Sequence, residues 1–130
     1  MADLRVMPDQ SGQTHVLLID DEVGIRWSIA AFLETRGFRV RTAADGARAL
    51  AMVEEERPDL VILDMEMPIM SGEQFVRELL ERNLHLPIIA MTAARRARSW
   101  AEQIGATAYV VKPVSFPLLL GRIDEIAASA

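Results

Sequence analysis

The chain has no cysteine in its 130 residues. That removes disulfides and thiolate metal sites. Histidine is nearly as scarce. His15 and His85 flank separate expected strands, which argues against a histidine-built metal site. No apolar run approaches the length of a membrane span. Residues 1–14 mix Asp3, Arg5 and Asp9 with Pro8 and Gly12. Lacking the apolar core of a signal peptide, they read as a loose tail on a cytoplasmic protein. Positive charge is not in excess: the net charge of −5 argues against a general nucleic-acid surface. Lysine occurs once, at Lys112, against thirteen arginines. Repeats and low-complexity tracts are missing as well.

What is present is apolar. At 51% hydrophobic, the chain is long enough to bury one core, so residues 15–130 are expected to form a single domain. The organising stretch is Leu60 to Leu63, four apolar residues running into Asp64, with Pro68 and Gly72 following. A short continuous apolar run bounded by turn residues reads as a strand buried on both faces, in the middle of a parallel sheet. Asp64 then sits at the carboxyl end, where open α/β sheets bind ligands, as either a cap for the next turn or a working group.

Similar runs occur along the chain. His15 to Ile19 reads as strand one and ends at Asp20-Asp21-Glu22. Phe38 to Thr42 alternates like an edge strand two. Pro87 to Met91 gives strand four, ending at Thr92, and Ala108 to Val111 gives strand five, ending at Lys112-Pro113. Helical spacing fills the gaps. Helix one runs from about Gly24 to Arg36 and is stopped by Gly37. Helix two, capped by Asp45, turns Ala47, Leu50 and Val53 inward and Glu54 to Glu56 outward. Helix three runs from Gly72 to Arg82 with Phe75, Val76, Leu79 and Leu80 on one face. Helix four carries Ala97, Trp100, Ala101 and Ile104. Helix five, capped by Ser115 with Pro117 in its first turn, buries Phe116, Leu119, Leu120, Ile123 and Ile126. Five strand–helix alternations predict a doubly wound, flavodoxin-like α/β domain with a five-stranded parallel sheet in the order 2-1-3-4-5.

In that order strands one, three, four and five are consecutive neighbours. Asp20, Asp21, Asp64, Thr92 and Lys112 should then meet in one crevice. Clustered carboxylates repel unless a cation joins them or protons stay on. Hard oxygen ligands suit Mg²⁺, and a hydroxyl and an ammonium opposite it would bind phosphoryl oxygens. The chemistry this implies is phosphoryl transfer with a carboxylate as covalent acceptor. A chain that otherwise uses arginine has placed its one compact ammonium at that strand end, which weighs against a snorkelling surface lysine. Taken singly, Asp20 or Asp21 is an N-cap, Thr92 an ordinary strand residue and Tyr109 a core aromatic. Arg95, Arg96 and Arg98 read as a solvated helix face.

The pieces Leu18-Ile19-Asp20-Asp21-Glu22, Leu63-Asp64-Met65-Glu66-Met67-Pro68 with Ser71-Gly72, Met91-Thr92-Ala93, Gly105-Ala106 and Tyr109-Val110-Val111-Lys112-Pro113 fall in one order. In that combination the chain resembles the receiver domain of two-component response regulators, over roughly His15 to Ala128. The run Ile25-Arg26-Trp27 resembles the nitrogen-regulatory subgroup. The resemblance implies that Asp64 takes a phosphoryl group from a phosphohistidine on a partner kinase, so the chain is a signalling module and not a turnover enzyme. It implies Mg²⁺ on Asp21, Asp64 and the backbone carbonyl of Glu66, with Asp20 acting through water. Thr92 and Lys112 would each take a phosphoryl oxygen. Tyr109 would report the event to the face of helix four, strand five and helix five, and the Lys112–Pro113 bond would be cis. Glu66 stands at a position that varies in the family and tunes hydrolysis.

From Thr92 to Gly105 the chain is about two residues shorter than the family's common spacing, which trims the approach to helix four. Kinases of the family dock near helix one. There Trp27 lies opposite Ile25, Ile29 and Phe32, as either a partner anchor or a cover for Val6 and Met7. The downstream partner is expected to be a protein or a second copy, with no nucleic acid or membrane bound by this chain and no second domain within it. Two competing readings stand beside this one. Asp64-Met65-Glu66 resembles the Asp-x-Asp of haloacid-dehalogenase-type phosphatases, which place the nucleophile on the first strand and add a cap. A flavin-binding module would share the fold, but the crevice is acidic and lacks a Ser/Thr-rich phosphate loop.

Overall fold

A computed structural model describes residues 12–67, 69–93 and 97–128, with the side chains of residues 97, 98, 100, 101 and 128 outside that description. The expectations placed on residues 1–11, on Ala97, Trp100 and Ala101, and on Arg95, Arg96 and Arg98 therefore fall outside the described residues or side chains.

Strands β1 (His15–Ile19), β2 (Arg39–Ala43), β3 (Leu60–Asp64), β4 (Ile88–Thr92) and β5 (Ala108–Val111) alternate with helices α1 (Val23–Thr35), α2 (Gly46–Glu55), α3 (Gly72–Glu81), α4 (Ala97–Ile104) and α5 (Phe116–Ala128). All pairings are parallel, in the order β2-β1-β3-β4-β5. Every residue of β1, β3 and β4 is buried, while β2 and β5 are only partly covered. This matches the continuous apolar runs in the centre and the mixed pattern at the β2 edge.

Side chains alternate across the pleat, so the three central strands feed two separate cores. Leu17, Ile19, Val61, Leu63 and Ala90 face α2, α3 and α4, where Leu50, Val53, Phe75 and Leu79 meet them. Val16, Leu18, Leu60, Ile62 and Met91 face α1 and α5, against Ile29, Leu33, Leu119 and Ile123. Burying a side chain of this kind stabilises by roughly 1.5–3 kcal/mol. A one-residue slip of any central strand would exchange the two sets.

Local sequence sets the helix ends. Asp45 accepts the Arg48 N–H at 2.8 Å, as expected, and Ser115 accepts the Leu118 N–H at 3.3 Å. Ser71 and Gln74 form a reciprocal capping box that opens α3. Gly37, beyond α1, has φ +91°, which a residue with a Cβ adopts only with strain. At Gly72 a Cβ would come within 2.9 Å of the Met65 Cα, so only glycine lets α3 start so close behind Asp64.

Two expectations about helix faces need correction. Ala47 is exposed, and the inward face of α2 is Ala49, Leu50, Met52 and Val53. Ala47 is two residues from Ala49, about 200° around the wheel. Leu80 is 52% exposed: Phe75, Val76 and Leu79 complete the buried stripe of α3, and Leu80 lies past its edge. Strand β2 is also displaced by one residue from the expected range, starting at Arg39.

Candidate functional site

Parallel pairing puts the carboxyl ends of β1, β3, β4 and β5 side by side. Ile19 pairs with Leu63, Asp64 with Met91, and Thr92 with Val111. Asp20 and Lys112 each follow their strand by one residue and stay hydrogen-bonded to the neighbour: Asp20 N–H donates to Ala43 O at 3.1 Å, and Lys112 N–H to Thr92 O at 2.9 Å. The side chains of Asp20, Asp64 and Thr92 are buried, Lys112 is half-buried and Asp21 is exposed. The Lys112–Pro113 bond is cis.

The expected residues do come together. Lys112 Nζ lies 2.6 Å from Asp64 Oδ1, which also accepts the Glu66 N–H at 3.0 Å. Asp20 Oδ1 accepts the Glu22 N–H at 2.8 Å. Asp20, Asp21 and Asp64 can each bring one carboxylate oxygen within 4.8 Å of the others. Among the described residues, two buried side-chain atoms have no hydrogen-bond partner, Asp20 Oδ2 and the Thr92 hydroxyl Oγ1. Leaving such groups unpaired costs about 1–3 kcal/mol each. A divalent cation whose water reaches Asp20 Oδ2, and an anion against Thr92, would remove both penalties. The donor set therefore fits a hard metal ion, which the Asp20, Asp21 and Asp64 cluster would hold.

Burial pushes the Asp64 carboxyl up to about 6, against the pull of the Lys112 bond and the Glu66 N–H and with a further push from Asp20. Asp20 is raised too, by burial first, opposed by the Glu22 N–H and Lys112. Burial works to lower Lys112, but the Asp64 bond and charge, with Glu66 and Asp20, outweigh it and hold the ammonium above its ordinary value.

A pH dependence results. An acid with a raised folded value binds more protons folded than unfolded, so Asp64 costs stability as pH rises from its ordinary 3.8 to about 6. His15 works in the opposite direction. Its imidazole is buried and accepts the Arg41 Nε–H at 2.8 Å, and burial, then Arg41 and Arg39, hold it below its ordinary 6.5. Its contribution is present above 6.5 and lost as pH falls. The two slopes oppose each other in a melting curve, so metal affinity is the cleaner readout. Since a proton on Asp64 competes with the ion, Mg²⁺ should bind about tenfold more weakly near pH 5 than near pH 8. Calorimetric titration at the two pH values checks this, and equal affinities would refute it.

Arg26 and the Glu66 carboxylate were not singled out by the sequence for what they do. Arg26 Nη1 donates to the Asp20 backbone carbonyl at 2.8 Å, bracing the turn that carries both N-terminal acids. Glu66 Oε1 accepts the Ala93 N–H at 2.7 Å, tying the loop after β3 to the end of β4. Trp27 is 74% exposed on α1, as its place on the wheel requires. Tyr109 is 37% exposed, which removes the core-aromatic reading. It lines a cleft of about 620 Å³ with Glu102, Arg122 and Glu125. An apolar recess of about 380 Å³ opens beside Asp20 and Lys112, lined by Ile25, Ile29, Met91, Pro113 and Phe116. No helix among the described residues is long and apolar enough to cross a membrane.

Comparison with known proteins agrees with this geometry. The response regulator receiver domain model matches residues 16–124. The chain is 40% identical over 113 residues to the probable transcriptional regulator ycf27 of Cyanophora paradoxa, covering 85% of this chain and 47% of that protein. It is 34% identical over 113 residues to the transcriptional regulatory protein PrrA of Mycobacterium tuberculosis, covering 85% and 48%. The chain thus spans about half the length of the curated relatives it matches. Among solved structures, chemotaxis response regulator CheY4 of Vibrio cholerae superposes with a TM-score of 0.80 at 32% identity, covering 88% of this chain and 98% of that one. The receiver domain of NtrX from Brucella abortus gives 0.80 at 28% identity, covering 88% and 99%. Neither the phosphatase reading nor the flavin reading finds support in these matches. With five parallel strands in the 2-1-3-4-5 order, an acid cluster and a lysine at their carboxyl ends, and a family match over nearly the whole domain, this chain belongs to the receiver domain family of two-component response regulators.

Proposed function

We propose that Asp64 is the phosphoryl acceptor of a Mg²⁺-dependent phosphorelay, taking its phosphoryl group from a phosphohistidine of a histidine kinase or phosphotransfer protein. The observation that carries this reading is the pairing of Asp64 Oδ1 with Lys112 Nζ at 2.6 Å, with the buried, unpaired Thr92 hydroxyl at the end of the adjacent strand. A carboxylate oxygen of Asp64 attacks phosphorus. As the new O–P bond forms the P–N bond breaks, and its electron pair returns to the imidazole of the donor. Lys112 and the Thr92 hydroxyl then each hold a phosphoryl oxygen. Asp21, Asp64 and the backbone carbonyl of Glu66, with Asp20 through water, would hold Mg²⁺, which would supply positive charge against the phosphoryl oxygens. The chain returns to its starting state by self-dephosphorylation and is no turnover enzyme.

In this reading residues 15–130 are the receiver, residues 1–14 a tail, and the setting cytoplasmic. Tyr109, on the exposed side of β5, carries the change to a protein partner or a second copy. The balance of −5 opposes direct nucleic-acid binding by this chain. Incubation with a small phosphodonor and Mg²⁺ should add one acid-stable, base-labile phosphoryl group by intact mass. No such gain would remove the proposal.

Trp27 is assigned to kinase docking, because it stands exposed on α1, the helix that follows the Asp20–Asp21 turn. Exposed tryptophans are frequent interface anchors, so Trp27→Ala should slow transfer from the kinase by about tenfold or more. Labelling by a small donor should not change. Equal slowing with both donors would place Trp27 in folding or chemistry instead.

A further inference from the structure

Asp64 and Thr92 end adjacent strands, and one residue fastens the two connections beyond them. Glu66 gives its backbone N–H to Asp64 Oδ1 at 3.0 Å, and its carboxylate Oε1 takes the Ala93 N–H at 2.7 Å. Ala93 directly follows Thr92, whose hydroxyl is buried without a partner among the described residues, and the Lys112 ammonium is fixed on the same acceptor carboxylate. A backbone N–H, an unpaired hydroxyl and an ammonium at the carboxyl ends of neighbouring strands make a donor set for an anion. One of the three, the Ala93 N–H, already holds an anion, and that anion belongs to the chain itself. Glu66 is also felt at Lys112, where its charge helps to raise the ammonium.

We propose that the Glu66 carboxylate is a built-in occupant of the anion position at the Ala93 N–H, which a phosphoryl group on Asp64 must displace. The proposal rests on Asp64 being the acceptor. A phosphoryl group brings close to two negative charges next to a carboxylate only two residues away, so the two anions repel. Glu66 is exposed and can swing into water at small cost. The Ala93 N–H is then released to a phosphoryl oxygen, alongside Thr92 and Lys112. Before phosphorylation, the same contact holds the loop after β3 against the end of β4. Glu66 thereby acts as a positioning residue: it opposes entry of the phosphoryl group and keeps the unphosphorylated arrangement closed.

The test uses the whole chain with Mg²⁺ and beryllium fluoride as the phosphoryl analogue, for wild type, Glu66→Gln and Glu66→Ala. Both variants should bind the analogue more tightly than wild type, by about three- to tenfold, as a like charge leaves the site. Exchange of the Ala93 amide, followed by NMR without the analogue, should be slow in wild type and fastest in Glu66→Ala. Glu66→Gln, which keeps an acceptor, should fall between them. This second readout separates occupancy of the amide from a simple charge effect, which would leave its exchange unchanged. Unaltered or weaker analogue binding in Glu66→Ala overturns the proposal, as does equal Ala93 exchange in all three proteins. Should wild type bind no analogue while its Ala93 amide is protected, the acceptor assignment of Asp64 fails and the displacement falls with it.

Discussion

Asp64→Asn should take up no phosphoryl group from either a kinase or a small donor, while folding as well as the wild type. The amide is nearly isosteric with the carboxylate and can still accept the Glu66 N–H, so the loop after β3 keeps its anchor. What it loses is nucleophilicity: a neutral amide oxygen does not attack phosphorus at a useful rate. Labelling should fall by at least about a thousandfold, the scale expected when the group making the bond is removed. Because burial already holds the wild-type carboxyl at about 6, the neutral side chain suits its surroundings. The metal-free variant should therefore melt no lower than wild type at neutral pH. Phosphoryl uptake by Asp64→Asn at the wild-type rate, measured by intact mass, would reassign the acceptor.

Lys112→Met should also impair labelling severely, and in a way that pH identifies. The methionine keeps the length of the stem and removes the ammonium 2.6 Å from Asp64 Oδ1. Lys112 is the strongest influence holding the Asp64 carboxyl down against burial. Without it the carboxyl rises beyond about 6, and at neutral pH a larger share is protonated and unreactive. One phosphoryl oxygen also loses its counter-charge. Removing one such preorganised contact costs about 10²–10³ in rate. The midpoint of the labelling rate against pH should move upward relative to wild type. Lys112→Arg should be impaired too, without that upward shift, because the larger planar fork keeps the charge but not the fit. A Lys112→Met profile that superimposes on wild type would exclude this role.

The fold was legible because its signals are local. Leu60 to Asp64, His15 to Ile19 and Ala108 to Val111 are uninterrupted runs whose limits coincide with the strands. Once their order is known, the carboxyl ends must meet. The placement of Asp20, Asp21, Asp64, Thr92 and Lys112 comes from topology alone. The single lysine added a compositional signal to a geometric one. Side-chain reach was not legible. Arg26 bends back to a carbonyl six residues earlier, and Glu66 crosses to an amide 27 residues later. Periodicity encodes neither contact. The only hint for Arg26 was a cation in the first turns of a helix that follows two acids. Ala47 and Leu80 show a related limit: an apolar residue at the margin of a stripe is buried only if a neighbour covers it, and the sequence does not say where coverage stops.

The ion pair between Lys112 and Asp64 also makes the site chemically addressable. Because no other lysine occurs, amine-directed reagents find a single side-chain target in this chain, and that target touches the proposed acceptor. Its pairing keeps the amine protonated and slow to acylate, so reagent uptake becomes a direct meter of the state of Asp64. Neutralising the carboxylate frees the amine and raises its reactivity, while adding negative charge at Asp64 holds the proton more firmly. A mass spectrometer reading one acyl tag can thus follow the occupancy of the site without a label, an antibody or a partner protein. The same chemistry warns that acyl phosphates, used as small donors, can acylate Lys112, and base treatment then separates that stable amide from a labile acyl phosphate on Asp64.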